Sequence, residues 1–161
     1  MRVVSLVQMA NWVGRFHVLV IHFPIALILF GAMVTFAKAL LTGRSLFSNW
    51  TRFSKLGYYC ILAGTCFAGI AATLGWLSGW GRDYGSPEMN QDLATHRILG
   101  TLAFAISVVA SVWGVLFRKN ESPLAWRLYL GFILASALLV SVTGHFGGVL
   151  VYGAGRFNWP P

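Results

Sequence analysis

Four long runs of apolar residues alternate with short polar segments along the chain. The runs cover about residues 17–37, 56–80, 98–117 and 128–151, and none contains Asp, Glu, Lys or Arg. Each reaches the roughly 20 residues that a helix needs to cross the hydrocarbon core of a bilayer. A backbone in hydrocarbon must satisfy its own hydrogen bonds, so these runs are expected to be helical. With short connections, the pattern predicts an all-α membrane protein, an up-down bundle of four transmembrane helices.

The segment before the first run is too short to span a membrane. Residues 1–14 mix apolar side chains with Ser5, Gln8 and Asn11, which predicts a short interfacial helical segment lying on the bilayer. This segment lacks the features of a signal peptide, so the first span is expected to direct insertion. The whole chain, residues 1–161, is expected to form a single membrane domain.

Composition agrees with a membrane protein and excludes a nucleic-acid partner. Mean hydropathy is +0.70 and only 10% of the residues are charged. The formal charge of +8 does not form a basic face, because the cations lie at the ends of the apolar runs, where they can contact lipid headgroups. Cys60 and Cys66 would be about 9 Å apart along one helix, which disfavours a disulfide between them. No Cys-x-x-Cys-His motif is present to attach haem covalently.

The distribution of cations predicts the orientation of the bundle. The connections at 38–55 and 118–127 carry seven of the 12 Lys and Arg residues, and the opposite face carries five, together with three of the four acids. Because cytoplasmic loops are enriched in Lys and Arg, those two connections are expected in the cytoplasm. Both termini and the connection at 81–97 are then expected on the outer face.

All four histidines fall in the outer half of this topology. His17 and His96 lie at the starts of their spans, His22 lies deeper, and His145 lies one to two turns before the last span ends. Depth therefore pairs His17 with His96 and His22 with His145. Ionisable groups within spans are usually functional, and imidazoles from bundle helices can hold haem iron axially. We therefore expect the four to be iron ligands of one or two b-type haems; the alternative is that they are polar anchors at the interface.

The residues around the last histidine suit a flat macrocycle. Gly144 and Gly148 flank His145 and would let a porphyrin approach the backbone. The segment from Gly75 to Gly79 has a similar sequence, which suggests that the same helix-end motif occurs in both hairpins. Trp76 would then occupy the position of His145 and form a wall of the pocket. The alternatives are close helix packing for the glycines and an aromatic belt for the tryptophan.

Two arginines beside the candidate ligands are expected to pair with haem propionates. Arg15 precedes His17 by two residues and Arg97 follows His96 directly, and guanidinium groups bind carboxylates through forked hydrogen bonds. Arg82 and Arg156 are weaker candidates for the same role. The alternative is that these arginines anchor the chain to lipid headgroups.

The histidine motifs resemble those of a family of small bacterial four-helix membrane domains of unknown function. The resemblance rests on Arg15-Phe16-His17, His22-Phe23-Pro24-Ile25, Thr95-His96-Arg97 and the stretch from Gly144 to Gly148, followed by Tyr152-Gly153. Members often read RFHPLLVHFPI at the start and GHLGG near the end, and this chain has Val18 where many members have proline. They occur beside or fused to planctomycete-type cytochrome c domains and periplasmic dehydrogenases. The resemblance implies a b-type haem or redox-associated module of the bacterial inner membrane.

The function expected from these observations is electron transfer within a larger complex rather than stand-alone catalysis, and no catalytic residues are assigned. A membrane b-type cytochrome subunit would exchange electrons between a periplasmic cytochrome c or dehydrogenase and quinone, the second candidate cofactor, at the outer face. Two alternatives remain open. One is a non-catalytic anchor or assembly subunit of a respiratory or photosynthetic complex, and the other is a copper- or metal-handling membrane protein, since imidazoles also bind such ions.

Overall fold

The computed structural model describes residues 5–41, 51–80, 86–117 and 122–153. All secondary structure in these ranges is helical. Four stretches are long and apolar enough to cross a membrane, which confirms the prediction of an all-α protein with four membrane-spanning helices. The helices are α1 (Leu6–Gly14), α2 (His17–Val20), α3 (His22–Leu41), α4 (Thr51–Ser78), α5 (Pro87–Phe117) and α6 (Pro123–Tyr152).

The third spanning helix begins well before its apolar run. Hydropathy predicts a connection over residues 81–97, but α5 already begins at Pro87. The Ser86 hydroxyl accepts a hydrogen bond from the Met89 backbone N–H at 3.1 Å, and a proline in the first turn removes only an N–H that would lack a helical partner. The cap and the proline therefore determine where the helix begins. Hydropathy alone does not detect this start, because the first turns of α5 are polar.

The first span consists of three consecutive helices. Ser5 caps α1 in a reciprocal pair of hydrogen bonds with Gln8. The chain turns at residues 15–16 and becomes helical again at His17. The Ile21 N–H bonds to the His17 carbonyl at 3.0 Å, so α2 runs almost directly into α3. His17 and His22 therefore lie on nearly continuous helix, with His22 further into the span.

Helix α1 packs against the end of α4. Asn11 is buried and donates from Nδ2 to the Trp80 carbonyl at 3.2 Å. Gly14 is also buried, and a Cβ there would overlap the backbone of Ser78. The predicted interfacial segment is thus a helix held against α4 by a close glycine contact, immediately before the first histidine.

The bundle core combines isoleucines with small residues. Helix α3 contacts α4 and α6, and α5 contacts the same two helices, so the four long helices form a closed ring. Ile28, Ile61, Ile133, Ser107 and Ser136 are fully buried at its centre. Small residues let the helices approach closely, as is common in membrane bundles.

The two helical hairpins, α3–α4 and α5–α6, repeat one burial pattern. Residues 79 positions apart on α3 and α5 are buried together, as at Ile28 and Ser107. Residues 72 positions apart on α4 and α6 correspond in the same way, as at Ile61 and Ile133. Such parallel repeats are related by an axis along the membrane normal. Position 17 matches position 96 under the first offset, so the repeat places two histidines at equivalent points.

Candidate functional site

The first half of the site is the His17 imidazole, which lies against α4. Its Nδ1 is 2.7 Å from the Ala71 carbonyl oxygen. Since a carbonyl oxygen can only accept, Nδ1 donates its proton and the neutral ring keeps a free electron pair on Nε2. Gly75 lies one turn further along α4, where a Cβ would stand 3.1 Å from the ring carbon Cε1. The glycine therefore makes room for the ring.

The second half repeats this arrangement on the other hairpin. The Nδ1 atom of His96 is 3.0 Å from the Thr143 carbonyl oxygen. Gly147 lies four residues later, and a Cβ there would stand 3.1 Å from Cε1 of the ring. This imidazole also donates from Nδ1 and keeps the Nε2 electron pair. Each hairpin thus fixes the tautomer of its own histidine with a backbone carbonyl and accommodates the ring with a glycine.

The two half-buried imidazoles lie beside each other between the hairpins. The ring centroids of His17 and His96 are 6.2 Å apart and the ring planes are 83° from parallel. Two imidazoles bound linearly to one metal ion, with bonds of about 2.0–2.1 Å, have ring centres roughly 6 Å apart. The separation of this pair therefore suits one metal ion shared by two nitrogen ligands.

The arrangement corrects the register of the suspected repeat. The glycine motifs predict that Trp76 matches His145. In the structure Gly75 matches Gly147 instead, because both glycines pack against a histidine ring. Under this register Trp76 corresponds to Gly148. The two hairpins do repeat one arrangement, as predicted. The predicted match of Trp76 with His145 differs from the structural register by three residues, which is close to one helical turn.

Trp76 and Arg97 lie together on one flank of the pair. The Trp76 indole donates from Nε1 to the Thr101 hydroxyl at 3.2 Å. The Arg97 guanidinium lies over the indole, 5.0 Å from the ring centroid, and its Nη2 is 3.5 Å from the Trp76 carbonyl. The Nε atom of Arg97 is enclosed and has no hydrogen-bond acceptor. This cation can therefore accept an anionic partner beside His96.

The other candidate histidines do not join the pair. His22 and His145 are exposed, and the His145 ring lies 6.0 Å from that of Phe146. Across the four described ranges, no three side chains from His, Cys, Asp and Glu converge as a metal site. The pairing of His22 with His145 remains a prediction.

The remaining candidates differ in their surroundings. Arg15 and Gly144 are exposed, and Gly148 is half-buried. A Cβ at Gly144 would meet only Ile25 Cδ1, at 3.9 Å, so the space beside it is open. Arg82 and Arg156 lie outside the described residues.

Comparison with known protein families identifies the chain. Residues 15–157 match the family described as "Predicted membrane protein (DUF2231)", and the matched region includes all four histidines. The chain belongs to the DUF2231 family. No curated protein and no solved structure shows a significant match.

The sequence of this DUF2231 chain carries one signal of the repeat that the sequence analysis missed. A Gly-x-Gly-Arg pattern occurs at the end of the second apolar run, in Gly79-Trp80-Gly81-Arg82, and just after the fourth, in Gly153-Ala154-Gly155-Arg156. Aligning those two segments gives an offset of 74 positions, two away from the 72 that relate α4 to α6 in the structure. The carbonyls of Ala71 and Thr143 have no such signal, because every residue carries a backbone carbonyl.

Proposed function

We propose that the chain is a membrane b-type cytochrome subunit in which His17 and His96 would hold the iron of one haem. It passes electrons between a periplasmic donor, a cytochrome c or a dehydrogenase, and quinone in the membrane. The observation that carries this proposal is the pair of matched Nδ1 hydrogen bonds on two adjacent imidazoles, each of which leaves Nε2 free to bind iron.

The hydrogen bonds support a ligand role more strongly than proximity alone. Metal-binding histidines characteristically donate their other ring N–H to a carbonyl, a carboxylate or water, which fixes the tautomer and makes the ligating nitrogen more basic. Both His17 and His96 have this carbonyl contact. A purely structural histidine could make one such bond, but two equivalent bonds on facing hairpins favour a shared ligand.

The ligand set favours haem over a zinc or copper centre. Structural zinc usually takes four protein ligands and catalytic zinc takes three, whereas haem iron needs only two axial ligands from the protein. In the part of the chain that the structure describes, no third His, Cys, Asp or Glu joins the pair. Two neighbouring imidazoles therefore match the needs of a macrocycle that supplies the remaining nitrogens itself.

Arg97 supports the same assignment through its charge. Its Nε is buried without an acceptor, and its remaining contacts are an aromatic face and a long bond to a carbonyl. A haem propionate would provide the missing carboxylate, since guanidinium–carboxylate pairs are strong and directional. Arg97 would then orient the cofactor, while Trp76 packs beneath the guanidinium.

The placement of the pair suggests electron exchange at one side of the membrane. When bound between these residues, a haem would supply one-electron redox chemistry. His17 and His96 lie at the end of the bundle where α2 begins and α4 ends. The distribution of cations favours an orientation in which this end, with both termini, faces the periplasm across a bacterial inner membrane. A single haem there favours exchange with a periplasmic partner, with no transfer of charge across the bilayer by this chain alone.

A reduced-minus-oxidised visible spectrum of the detergent-solubilised protein tests the proposal. We expect a Soret band in the wild-type protein and its loss in both His17→Ala and His96→Ala. The matched control, His145→Ala, removes an exposed imidazole on the same bundle and keeps the full band if there is one haem. Loss of half the haem in that control would instead establish a second haem on His22 and His145.

Two results would contradict the proposal. One is a wild-type protein that binds no haem when expressed with adequate supply and whose partner complex disassembles without it, which would favour the anchor function. The other is bound copper or zinc in place of haem, detected by metal analysis. Size-exclusion profiles of the variants distinguish loss of haem from loss of folding.

A further inference from the structure

The His17–His96 pair has two flanks, one on each side where the hairpins meet. We call the side formed by Trp76, Arg97 and Thr101 the α4–α5 flank. On it, the Trp76 indole bonds to the Thr101 hydroxyl and supports the Arg97 guanidinium. The chain therefore fills this flank with one of its own aromatic rings.

The internal repeat identifies the equivalent positions on the other side. The offset between α3 and α5 matches Thr101 with His22 and Arg97 with Val18, and the offset between α4 and α6 matches Trp76 with Gly148. We call the side formed by Val18, His22 and Gly148 the α3–α6 flank. On this flank Gly148 occupies the position equivalent to Trp76. His22 occupies the position equivalent to Thr101, whose hydroxyl accepts the hydrogen bond of the Trp76 indole.

The α3–α6 flank has open space beside Gly144, one turn from Gly148, and its imidazole, His22, has no hydrogen-bond partner among the described residues. A Cβ at Gly144, one turn before Gly148, would meet nothing closer than Ile25 Cδ1 at 3.9 Å. His22 is exposed, and its ring makes no hydrogen bond to the parts of the chain that the structure describes. A polar ring facing lipid without a partner is unfavourable, and such residues in spans usually serve a function.

We propose that the α3–α6 flank binds the head group of a quinone. The ring takes the place that Trp76 occupies on the opposite flank, and His22 hydrogen-bonds to one of its carbonyl oxygens. The repeat itself argues for a planar aromatic occupant, because the equivalent space is filled by an indole. Quinones are flat, carry carbonyl acceptors and dissolve in the lipid from which this exposed flank is accessible.

The charges on the two flanks argue for a neutral ring rather than an anion. The position equivalent to Arg97 is Val18, so the α3–α6 flank has no cation at the place where the other flank has one. An anionic group would favour the Arg97 side, whereas an uncharged quinone is compatible with Val18. The repeat thus assigns different chemistry to the two flanks. The physiological role of this quinone site depends on the proposed electron-transfer function, but quinone binding itself does not.

Equilibrium binding of a radiolabelled decyl-benzoquinone to the protein in lipid nanodiscs tests the inference. Two variants change the flank in different ways: Gly148→Trp fills it with the residue found on the other side, and His22→Ala removes the hydrogen-bonding ring. We expect each variant to weaken quinone binding about tenfold or more, consistent with loss of one hydrogen bond or of the space for the ring. Size-exclusion profiles of both variants should match the wild-type profile, which separates loss of the quinone site from loss of folding.

The matched control is Gly131→Trp. Gly131 is also on α6, is exposed, and has open space around its Cβ position, but it lies near the opposite end of the helix. It should bind quinone like the wild-type protein. Binding in His17→Ala separates the two proposals, because quinone binding that persists without haem supports the flank site even if the haem assignment fails.

Three outcomes would overturn the quinone site. The first is wild-type protein that binds no more quinone than empty nanodiscs do. The second is unchanged binding in both folded variants, since His22→Ala leaves helix packing intact even if Gly148→Trp does not fold. The third is a change of oligomeric state in the two variants, detected by crosslinking, with quinone binding unaffected; the flank would then be a contact between two copies of the chain.

Discussion

At the scale of single residues, two backbone carbonyls determine what the histidines can bind. The sequence places His17 and His96 at similar depth, and the structure brings their rings to 6.2 Å. Residue types cannot predict the acceptors at Ala71 and Thr143, because the acceptor belongs to the main chain. The depth of a histidine in the membrane also does not show whether its ring faces the interior of the bundle, because that depends on the direction of the side chain around the helix. Depth alone therefore could not distinguish His17 and His96 from His22 and His145.

The glycines beside the rings give a matched test at this scale. Gly147→Ala would place a methyl group 3.1 Å from Cε1 of His96 and displace the ring, whereas Gly144→Ala has room. Changes to residues that orient a ligand typically lower metal affinity about 10- to 100-fold. We therefore expect Gly147→Ala to lower haem affinity within this range and Gly144→Ala to leave it unchanged, measured by haem titration. Equal effects of the two variants would show that the contact with His96 is unimportant.

At the scale of helices, hydropathy located the spans but not their ends. The four spans were predicted because apolar runs of membrane length are nearly sufficient evidence for a spanning helix. The apolar run predicts that the third span begins at about residue 98, which is too late, because the first turns of α5 are polar and are specified by Ser86 and Pro87. The sequence Ser86-Pro87 is typical of a helix start, but the polarity of residues 81–97 favours a connecting loop.

The cap of α5 predicts a local change in stability. Ser86→Ala removes the acceptor of the Met89 N–H, and loss of such a cap typically costs about 1 kcal/mol. Amide hydrogen exchange should therefore become faster in the first turn of α5. Ser141→Ala is the control, because the exposed Ser141 hydroxyl bonds to the Ala137 carbonyl within α6 and caps no helix, so exchange in the first turns of α6 should stay unchanged. Equal acceleration in both helices would contradict this reading of the cap.

A hydroxyl contact between helices α4 and α5 predicts a global change in stability. The Thr65 hydroxyl is buried, lies 2.9 Å from the Ser111 hydroxyl and also reaches the Ser107 carbonyl. Interhelical hydrogen bonds in membrane proteins contribute about 0.6 kcal/mol on average and up to about 1.7 kcal/mol. Thr65→Val should destabilise the bundle by an amount in this range, measured by unfolding in mixed micelles. Thr73→Val is the control, since the exposed Thr73 hydroxyl bonds only within its own helix; equal destabilisation by both would refute the interhelical role.

At the scale of the whole molecule, the closed ring of helices follows from two similar hairpins. The sequence predicted four helices with short connections, but the correct register of the repeat became evident only from which residues are buried together. Burial at equivalent positions, such as Ile61 and Ile133, depends on packing partners from other helices. The flank difference between Trp76 and Gly148 could therefore not be recognised from the sequence motifs alone.

Orientation in the membrane is the prediction that belongs to this scale. The two connections rich in cations are expected in the cytoplasm, which places both termini in the periplasm. Alkaline phosphatase fused after residue 161 should therefore be active, and a fluorescent protein that folds only in the cytoplasm should be dark at the same position. The reverse pattern would place the histidine pair at the cytoplasmic end and exclude a periplasmic donor.

The hydrogen bond of each imidazole to its own hairpin also constrains how the protein is made. A carbonyl of α4 orients His17 and a carbonyl of α6 orients His96. Each ring can therefore adopt its final orientation as soon as its own hairpin has been inserted into the bilayer. A cofactor that binds both rings can therefore bind only after the last spanning helix, α6, has been inserted and the two hairpins have packed together. Nascent chains stalled before α6 would then be unable to capture the cofactor, whereas two separately synthesised hairpins could still assemble around it.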